Sequence, residues 1–318
     1  MRPRVIMVLA IVAVLLGGVM LVPAAYARLS GGDDEVDRTP RANTPEPATP
    51  PAPTLAAAPV SVAFSGSHLT WALMDRKSGA ISGSKNMTAT NSTESMIKVW
   101  IVSDYLRRLG DKPFTAERKK QASTAIRDSN DDSAVALYNT GGKTAVTKRM
   151  IDMCGLTETR ISTKPGYVGW WSFTEMSARD AVRLGNCVAD GTAAGPKWTE
   201  WVLDEMSKVR GTTAAKDQQL KQGGGRWGIV DGLPDEIEKQ GPVSIKNGWT
   251  PLYYDNNWHV NCLAVTDSWS LAVMMRYPIS RGLDYGAKVC ASVTAQLVTP
   301  QPGAALKVPQ PLTTKAKL

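Results

Sequence analysis

Ser95 and Lys98 stand three positions apart in the stretch TNSTESMIKVWIVSDYL, residues 90–106, near the start of a strongly apolar run. At i and i+3 of a helix two side chains share a face and reach hydrogen-bonding distance. A serine hydroxyl is a weak nucleophile at neutral pH, but a lysine that is desolvated and close to other cations loses its proton and can then take the hydroxyl's. The spacing alone is weak, because Ser82-Gly83-Ser84-Lys85 repeats it in a Gly-rich turn. Context separates the two copies. Only Ser95 opens a helix expected to be buried, where Lys98 is an expensive unpaired charge unless it snorkels out from one edge. Two further stretches supply partners, Ser129-Asn130-Asp131 and Lys246-Asn247-Gly248-Trp249.

The elements around these residues follow from periodicity. From Thr93 onward Met96, Ile97, Val99, Trp100, Ile101, Val102, Tyr105 and Leu106 surround the whole helix until Gly110 stops it. A helix apolar on all sides belongs inside a domain. Before it, VSVAFS and LTWALMD are short β-rich runs, the second followed by the turn-like RKSGAISGSKN, which predicts an opening hairpin of two or three strands. Amphipathic helical stretches follow at 115–129, 131–139, 143–153, 175–190 and 198–209. Strand patterns then return in PVSIKNGW, WHVNCLAVTD and WSLAVMMRY, and a helix from Gly282 to Leu297 closes the domain. Strands, then helices, then strands and a last helix predict an α+β domain: one antiparallel sheet built from both chain ends, with a helical block inserted. Ser129 falls between two of the helices, and Lys246 ends the strand PVSIK.

In this order and spacing the three stretches resemble the SxxK, SxN and KTG motifs of the serine penicillin-recognising superfamily, which contains the class A β-lactamases and D-alanyl-D-alanine peptidases. The resemblance covers nearly all of residues 61–299, including WALMDRKSG before the nucleophile and the closing helix. It implies that Ser95 attacks a carbonyl and becomes acylated, that Lys98 is its base, and that Ser129 relays a proton to the leaving amine. Lys246 would hold that relay and bind a substrate carboxylate. Gly248 would let the strand edge approach the substrate, and the backbone N–H groups of Ser95 and Trp249 would face the charge developing on the attacked carbonyl. The implied substrates are D-Ala-D-Ala-type cell-wall peptides or β-lactams, and no cofactor is implied.

The departures carry equal weight. Asn247 replaces the hydroxyl residue usual between the lysine and glycine, though an amide can still hydrogen-bond a carboxylate. Asp131 stands where the family usually has asparagine; a carboxylate there favours the charged form of Lys98 and weakens it as a base. The stretch LTETRISTKPGYVGWWSFTEMSARD corresponds to the omega loop that in class A β-lactamases holds a deacylating glutamate, and no Glu-x-x-x-Asn arrangement occurs in it. Glu158 and Glu175 flank the gap, with Glu175 expected as a solvated residue in the first turn of a helix. A β-lactam should therefore acylate Ser95 and leave slowly. The rival to an enzyme is a cell-envelope binding protein of the same fold with weakened chemistry.

His68 and His259 fall in predicted strands without a serine and an acid in a recognisable elbow, so sheet positions are expected rather than a triad. Trp170, Trp171 and Trp227 are expected in the core or at its rim, and Trp249, after the Lys-Asn-Gly turn, is placed to line the cleft. GGGRWG, residues 223–228, lacks the strand-to-helix context of a phosphate site and is expected to be a loop, with Arg226 a weak candidate for a substrate carboxylate.

The chain ends and cysteines set the compartment. Residues 1–27 combine Arg2 and Arg4, an apolar stretch from Val5 to Val22 and the small-residue site Ala25-Tyr26-Ala27, an export signal or an uncleaved N-terminal anchor through residues 5–22. Residues 28–60 hold seven of the twenty prolines and read as a disordered spacer, and residues 300–318 as a loose tail. Four cysteines in an exported chain predict two disulfides with three open connectivities, of which Cys154–Cys187 with Cys262–Cys290 is expected. No CxxC or HxxxH spacing suggests a metal. Net charge is +8 overall and a mild +5 within 61–299, suited to anionic surroundings such as a cell wall or membrane face. No Lys/Arg cluster interleaved with aromatics suggests nucleic acid. The reading is of an extracytoplasmic protein, expected as a monomer.

Overall fold

A computed structural model describes residues 60–297. The leader or anchor, the tail and all but the last residue of the proline-rich spacer lie outside the described residues. Ten strands are described: His68–Asp75 (β1), Ile81–Gly83 (β2), Thr90–Ser92 (β3), Glu175–Ser177 (β4), Gln218–Gln219 (β5), Gln222–Gly223 (β6), Ser244–Ile245 (β7), Gly248–Leu252 (β8), Asn257–Val265 (β9) and Trp269–Pro278 (β10). The α-helices are Lys98–Leu109 (α1), Ala116–Arg127 (α2), Asp131–Thr140 (α3), Thr144–Cys154 (α4), Ala178–Ala189 (α5), Pro196–Ser207 (α6), Asp235–Glu238 (α7) and Gly282–Leu297 (α8).

The main sheet has the order β2-β1-β10-β9-β7, with β8 continuing from β7 along β9, and every pairing is antiparallel. Both chain ends therefore build one sheet, as expected for this α+β class. Gly185 of α5 lies against Ser270 and Leu263, and Gly286 of α8 against Tyr277. Positions 270 and 277 of β10 differ in parity, so α5 and α8 cover opposite faces. On the α5 side α1 is wrapped by helices, and Met96, Ile97, Val99, Trp100, Val102 and Leu106 are all fully buried. Cys154–Cys187 ties α4 to α5, and Cys262–Cys290 ties β9 to α8. Among the described residues no helix is long and apolar enough to cross a membrane.

Four local expectations need correction. VSVAFS forms no strand ladder, because the backbone of Ser61 is claimed by a side chain of α8: its N–H donates to Gln296 Oε1 at 2.9 Å and its carbonyl accepts from Gln296 Nε2 at 3.1 Å. The helix expected from Thr93 begins instead with a 3-10 turn, Glu94–Ile97, because Glu94 has a left-handed φ of 47°. The helix expected over 175–190 begins only at Ala178, since residues 175–177 pair with Thr90–Ser92 and Ser177 then caps α5, its hydroxyl accepting from Asp180 N–H at 3.0 Å. The strand PVSIKNGW is broken at Lys246-Asn247, and that break turns the Lys246 side chain into the site.

Candidate active site

A cleft of about 520 Å³ opens between the β8 edge, the turn joining α2 to α3, residues 170–173 and the β5–β6 hairpin. Ser95, Ser129, Asp131 and Trp249 line it, with Glu94 beside them. Ser95 sits in the 3-10 turn at the head of α1, partly exposed to the cleft. Lys98, on the first residue of α1, is completely buried. Its Nζ donates to Asp131 Oδ1 at 2.6 Å, to Ser129 Oγ at 3.3 Å and to the Ser129 carbonyl. Ser129 is itself in a left-handed conformation, φ 51°, which turns both its carbonyl and its hydroxyl toward that ammonium. Asn130 makes the turn possible by capping α3, its Oδ1 accepting from Ser133 N–H at 2.8 Å.

Lys246 reaches the same hydroxyl from the sheet, its Nζ lying 3.0 Å from Ser129 Oγ and 2.9 Å from the Asn247 carbonyl. Two lysines from elements far apart in sequence therefore share one serine hydroxyl. Burial lowers Lys98 to about 8, the opposing pull of Asp131 notwithstanding. The expected effect of Asp131 is present, but desolvation outweighs it. Burial and the neighbouring Lys98 charge hold Lys246 well below the ordinary lysine range. At neutral pH part of Lys98 is a neutral amine able to accept a proton, and burial favours the neutral form of Lys246 as well.

Asn247 has a role other than the substrate contact expected for it. It is buried, and its Nδ2 donates to the carbonyls of Gly225 and Trp227 at 2.9 and 2.8 Å, so it struts the GGGRWG loop against the strand. Gly248 serves a closer approach than that to a substrate: a Cβ there would lie 2.5 Å from Met96 N, 2.5 Å from Thr93 O and 2.8 Å from Ser95 N. The strand is pressed onto the turn carrying Ser95. Trp249 lines the cleft, braced edge-on by Trp227 at 5.3 Å and by its Nε1 donating to Gln218 Oε1 at 2.9 Å. Arg226 lies outside this cleft, 3.7 Å from Asp231.

The segment 156–177 contributes Trp170, Trp171, Ser172 and Phe173 to the cleft and no carboxylate. Glu175, expected in a helix, is a strand residue paired with Arg160 and accepting from Thr90 Oγ1 at 2.9 Å. Glu158 is paired with Arg179; burial alone would raise its carboxyl, but hydrogen bonds from Arg179, Thr157 and Ser177 hold it at about 2. A carboxyl depressed in the folded state stabilises the fold above its ordinary value near 4.5 and loses that contribution as pH falls toward about 2. Glu158→Gln should therefore lower the urea midpoint at neutral pH and flatten its decline across that acid window, read by unfolding curves at both ends.

Three residues went unread in the sequence: Ser92, Glu94 and Asp255. His68 and His259 lie in strands as expected, but His259 Nδ1 is 2.6 Å from Ser92 Oγ and its Nε2 is 2.8 Å from Asp255 Oδ2. Ser92 Oγ also lies 2.6 Å from Glu94 Oε1. Ser92 is buried and off the cleft wall, so this is not a hydrolytic triad. The only sequence signal was the closeness of Ser92 and Glu94 to Ser95. Among the described residues no cluster of His, Cys, Asp and Glu suits a metal ion.

No protein-family model and no curated protein matches the chain. Solved structures do. A class A β-lactamase from Mycobacterium abscessus aligns at 14% identity with a TM-score of 0.52, covering 72% of this chain and 92% of that one. A β-lactamase from Desulfarculus baarsii aligns at 12% identity and TM-score 0.52, covering 72% and 90%. PBP-A aligns at 13% identity and TM-score 0.51, covering 77% and 98%, and a variant of PBP-A was solved as an acyl-enzyme complex with penicillin G. The chain has the serine β-lactamase and penicillin-recognising fold.

Proposed function

We propose that the chain is an exported serine hydrolase or acyltransferase that forms an acyl-enzyme on Ser95 with D-Ala-D-Ala-type cell-wall peptides or β-lactams. The observation that carries this reading is the convergence of Lys98 and Lys246 on the Ser129 hydroxyl in the cleft that Ser95 lines. In the reaction, Ser95 Oγ bonds to the carbonyl carbon as its proton passes to the neutral amine of Lys98. The oxyanion is received by the N–H groups of Ser95 and Trp249. The C–N bond then breaks as Ser129 gives its proton to the leaving nitrogen and regains one from a neighbouring lysine. The ester left on Ser95 passes to water or to an amine. Two disulfides suit an oxidising, extracytoplasmic compartment, and attachment to a membrane through residues 5–22 and a monomeric state belong to the same proposal.

The test is labelling of the full chain with a fluorescent penicillin, followed by intact mass over time. One covalent adduct is expected, absent in Ser95→Ala; a folded native chain that takes no label sinks the reading.

A catalytically weakened binding protein of the same fold is the second reading, favoured by the Asp131–Lys98 ion pair and by a cleft that takes no carboxylate from 156–177. Asp131→Asn removes the anion that favours charged Lys98, so the lysine should deprotonate at lower pH and the acid limb of acylation should move down. Faster acylation at neutral pH supports this reading; an unchanged or slower rate removes its main support.

A further inference from the structure

Behind the cleft wall, reached from it through Glu94, lies a second acid–base cluster that the acylation scheme leaves unused. Glu94 immediately precedes Ser95, lines the cleft and has only 2% of its surface exposed. Its left-handed φ of 47° costs about 1–3 kcal/mol in a residue other than glycine, and it aims the carboxyl inward, toward Ser92. The two contacts of 2.6 Å, one to Glu94 and one to His259 Nδ1, meet at a Ser92 hydroxyl that has a single proton of its own to give. His259 Nε2 lies 2.8 Å from Oδ2 of the partly exposed Asp255, a contact that the Nε2–H tautomer fits, leaving Nδ1 free to accept.

Proton bookkeeping decides the state. With one further proton in the chain, Glu94 donates to Ser92 Oγ and Ser92 donates to His259 Nδ1, so every contact joins a donor to an acceptor. With no further proton, Ser92 can serve only one of two facing acceptors. With two, Glu94 and Nδ1–H both donate to Ser92 and its own hydroxyl proton has no partner. The singly protonated chain is the one that satisfies all its groups, and burial makes an unsatisfied group costly.

We propose that Glu94, Ser92, His259 and Asp255 form a one-proton relay behind the oxyanion position, in which Glu94 is a carboxylic acid and positions the Ser95 N–H without an opposing charge. The proton moves with charge balanced: as Glu94 gives its proton to Ser92 Oγ, the Ser92 proton passes to His259 Nδ1, leaving a carboxylate, an intact serine and an imidazolium beside Asp255. Burial raises Glu94 to about 7, against hydrogen bonds from Ser92 and Thr250, and burial lowers His259 against the pull of Asp255. Both directions are those of the singly protonated chain with its proton on Glu94. The surrounding charges are Asp131 from α3 and Lys98 from α1 toward Glu94, with Arg276 from β10, Lys164 and the His68 imidazole toward His259 and the Tyr254 ring 6.3 Å from that imidazole.

The relay is a property of the free protein, while the role of positioning Ser95 rests on the acyl-enzyme reading. Carbon-13 NMR of the full chain with labelled glutamate carboxyls separates them. One glutamate should titrate near neutral pH and vanish in Glu94→Gln; if that variant does not fold, Ser92→Ala assigns the signal by moving its midpoint and uncoupling it from the His259 ring. The absence of any glutamate titrating near neutral pH overturns the relay. With penicillin, the ratio of native to Glu94→Gln acylation rates should fall about tenfold from one pH unit below the Glu94 midpoint to one above. An ionised Glu94 also favours the charged form of Lys98, so the same ratio is taken in a Lys98→Met background, where that coupling is absent. A flat ratio overturns the positioning role. A neutral-pH glutamate in a chain that never acylates confirms the relay and sinks the reading of Ser95 instead.

Discussion

Lys98→Met should leave thermal stability within about 2 kcal/mol of the native chain while slowing acylation of Ser95 by about 10²–10⁴-fold. The two halves of that expectation come from different physics. Lys98 is completely buried, and its counter-ion Asp131 keeps 44% of its side chain in water. Replacing a buried ion pair by apolar groups of similar volume is commonly neutral or stabilising by about 1–4 kcal/mol, and the usual penalty for removing only one partner, a buried charge left unpaired, is reduced here by the exposure of Asp131. Asp131, released, is resolvated. The cost is the donor lost to the Ser129 carbonyl, about 1–3 kcal/mol for a buried acceptor, while Ser129 Oγ keeps Lys246 at 3.0 Å. These terms nearly cancel. The chemical loss does not, because a positioned general base contributes about 10²–10⁴. Unfolding curves and the rate of penicillin labelling on the same preparation read both. Labelling that survives in Lys98→Met would show that another group takes the Ser95 proton.

How far the sequence carried depends on whether a feature is local. The helix α8, from Gly282 to Leu297, and the strands β9 and β10 were legible because an apolar run bounded by turn residues carries its own period. Both cysteine pairs were legible as an even set, and their partners proved near in sequence, 33 and 28 residues apart. Ser95, Lys98, Ser129 and Lys246 were legible as separate stretches whose meeting no single stretch dictates. What could not be read is what depends on strained backbone and cross-sheet placement. Nothing in ESMI announces that Glu94 takes a left-handed φ, which converts the first turn to 3-10 form. The amide of Asn247 is spent on the carbonyls of residues 225 and 227, a loop whose position a sequence does not give. His259 meets Ser92 across 167 residues. Glu158 and Glu175 find arginines, so neither is left to face the cleft.

Gly248→Ala is the second change with a large expected effect, and its force is steric. The three atoms nearest the added methyl, at 2.5, 2.5 and 2.8 Å, are the backbone of Met96, Thr93 and Ser95. Backbone atoms cannot rotate aside, so β8 must lift from the turn that carries the nucleophile. Overpacking of this kind costs about 1–3 kcal/mol. On the proposed acyl-enzyme reading the N–H groups of Ser95 and Trp249 receive the oxyanion; the same displacement would separate them, and losing one such donor costs about 10²–10³ in rate. A control distinguishes misplacement from simple instability. Gly286→Ala on α8 would press a methyl to 2.5 Å from the Tyr277 hydroxyl, on the face of the sheet opposite to the helical block. It should lower stability without lowering the rate of acylation, whereas Gly248→Ala should lower both, with burst labelling by penicillin read at a temperature where all three proteins are folded. Equal rates in the two variants would mean that the fit of β8 against residues 93–96 holds the fold together but does not set the position of the oxyanion donors.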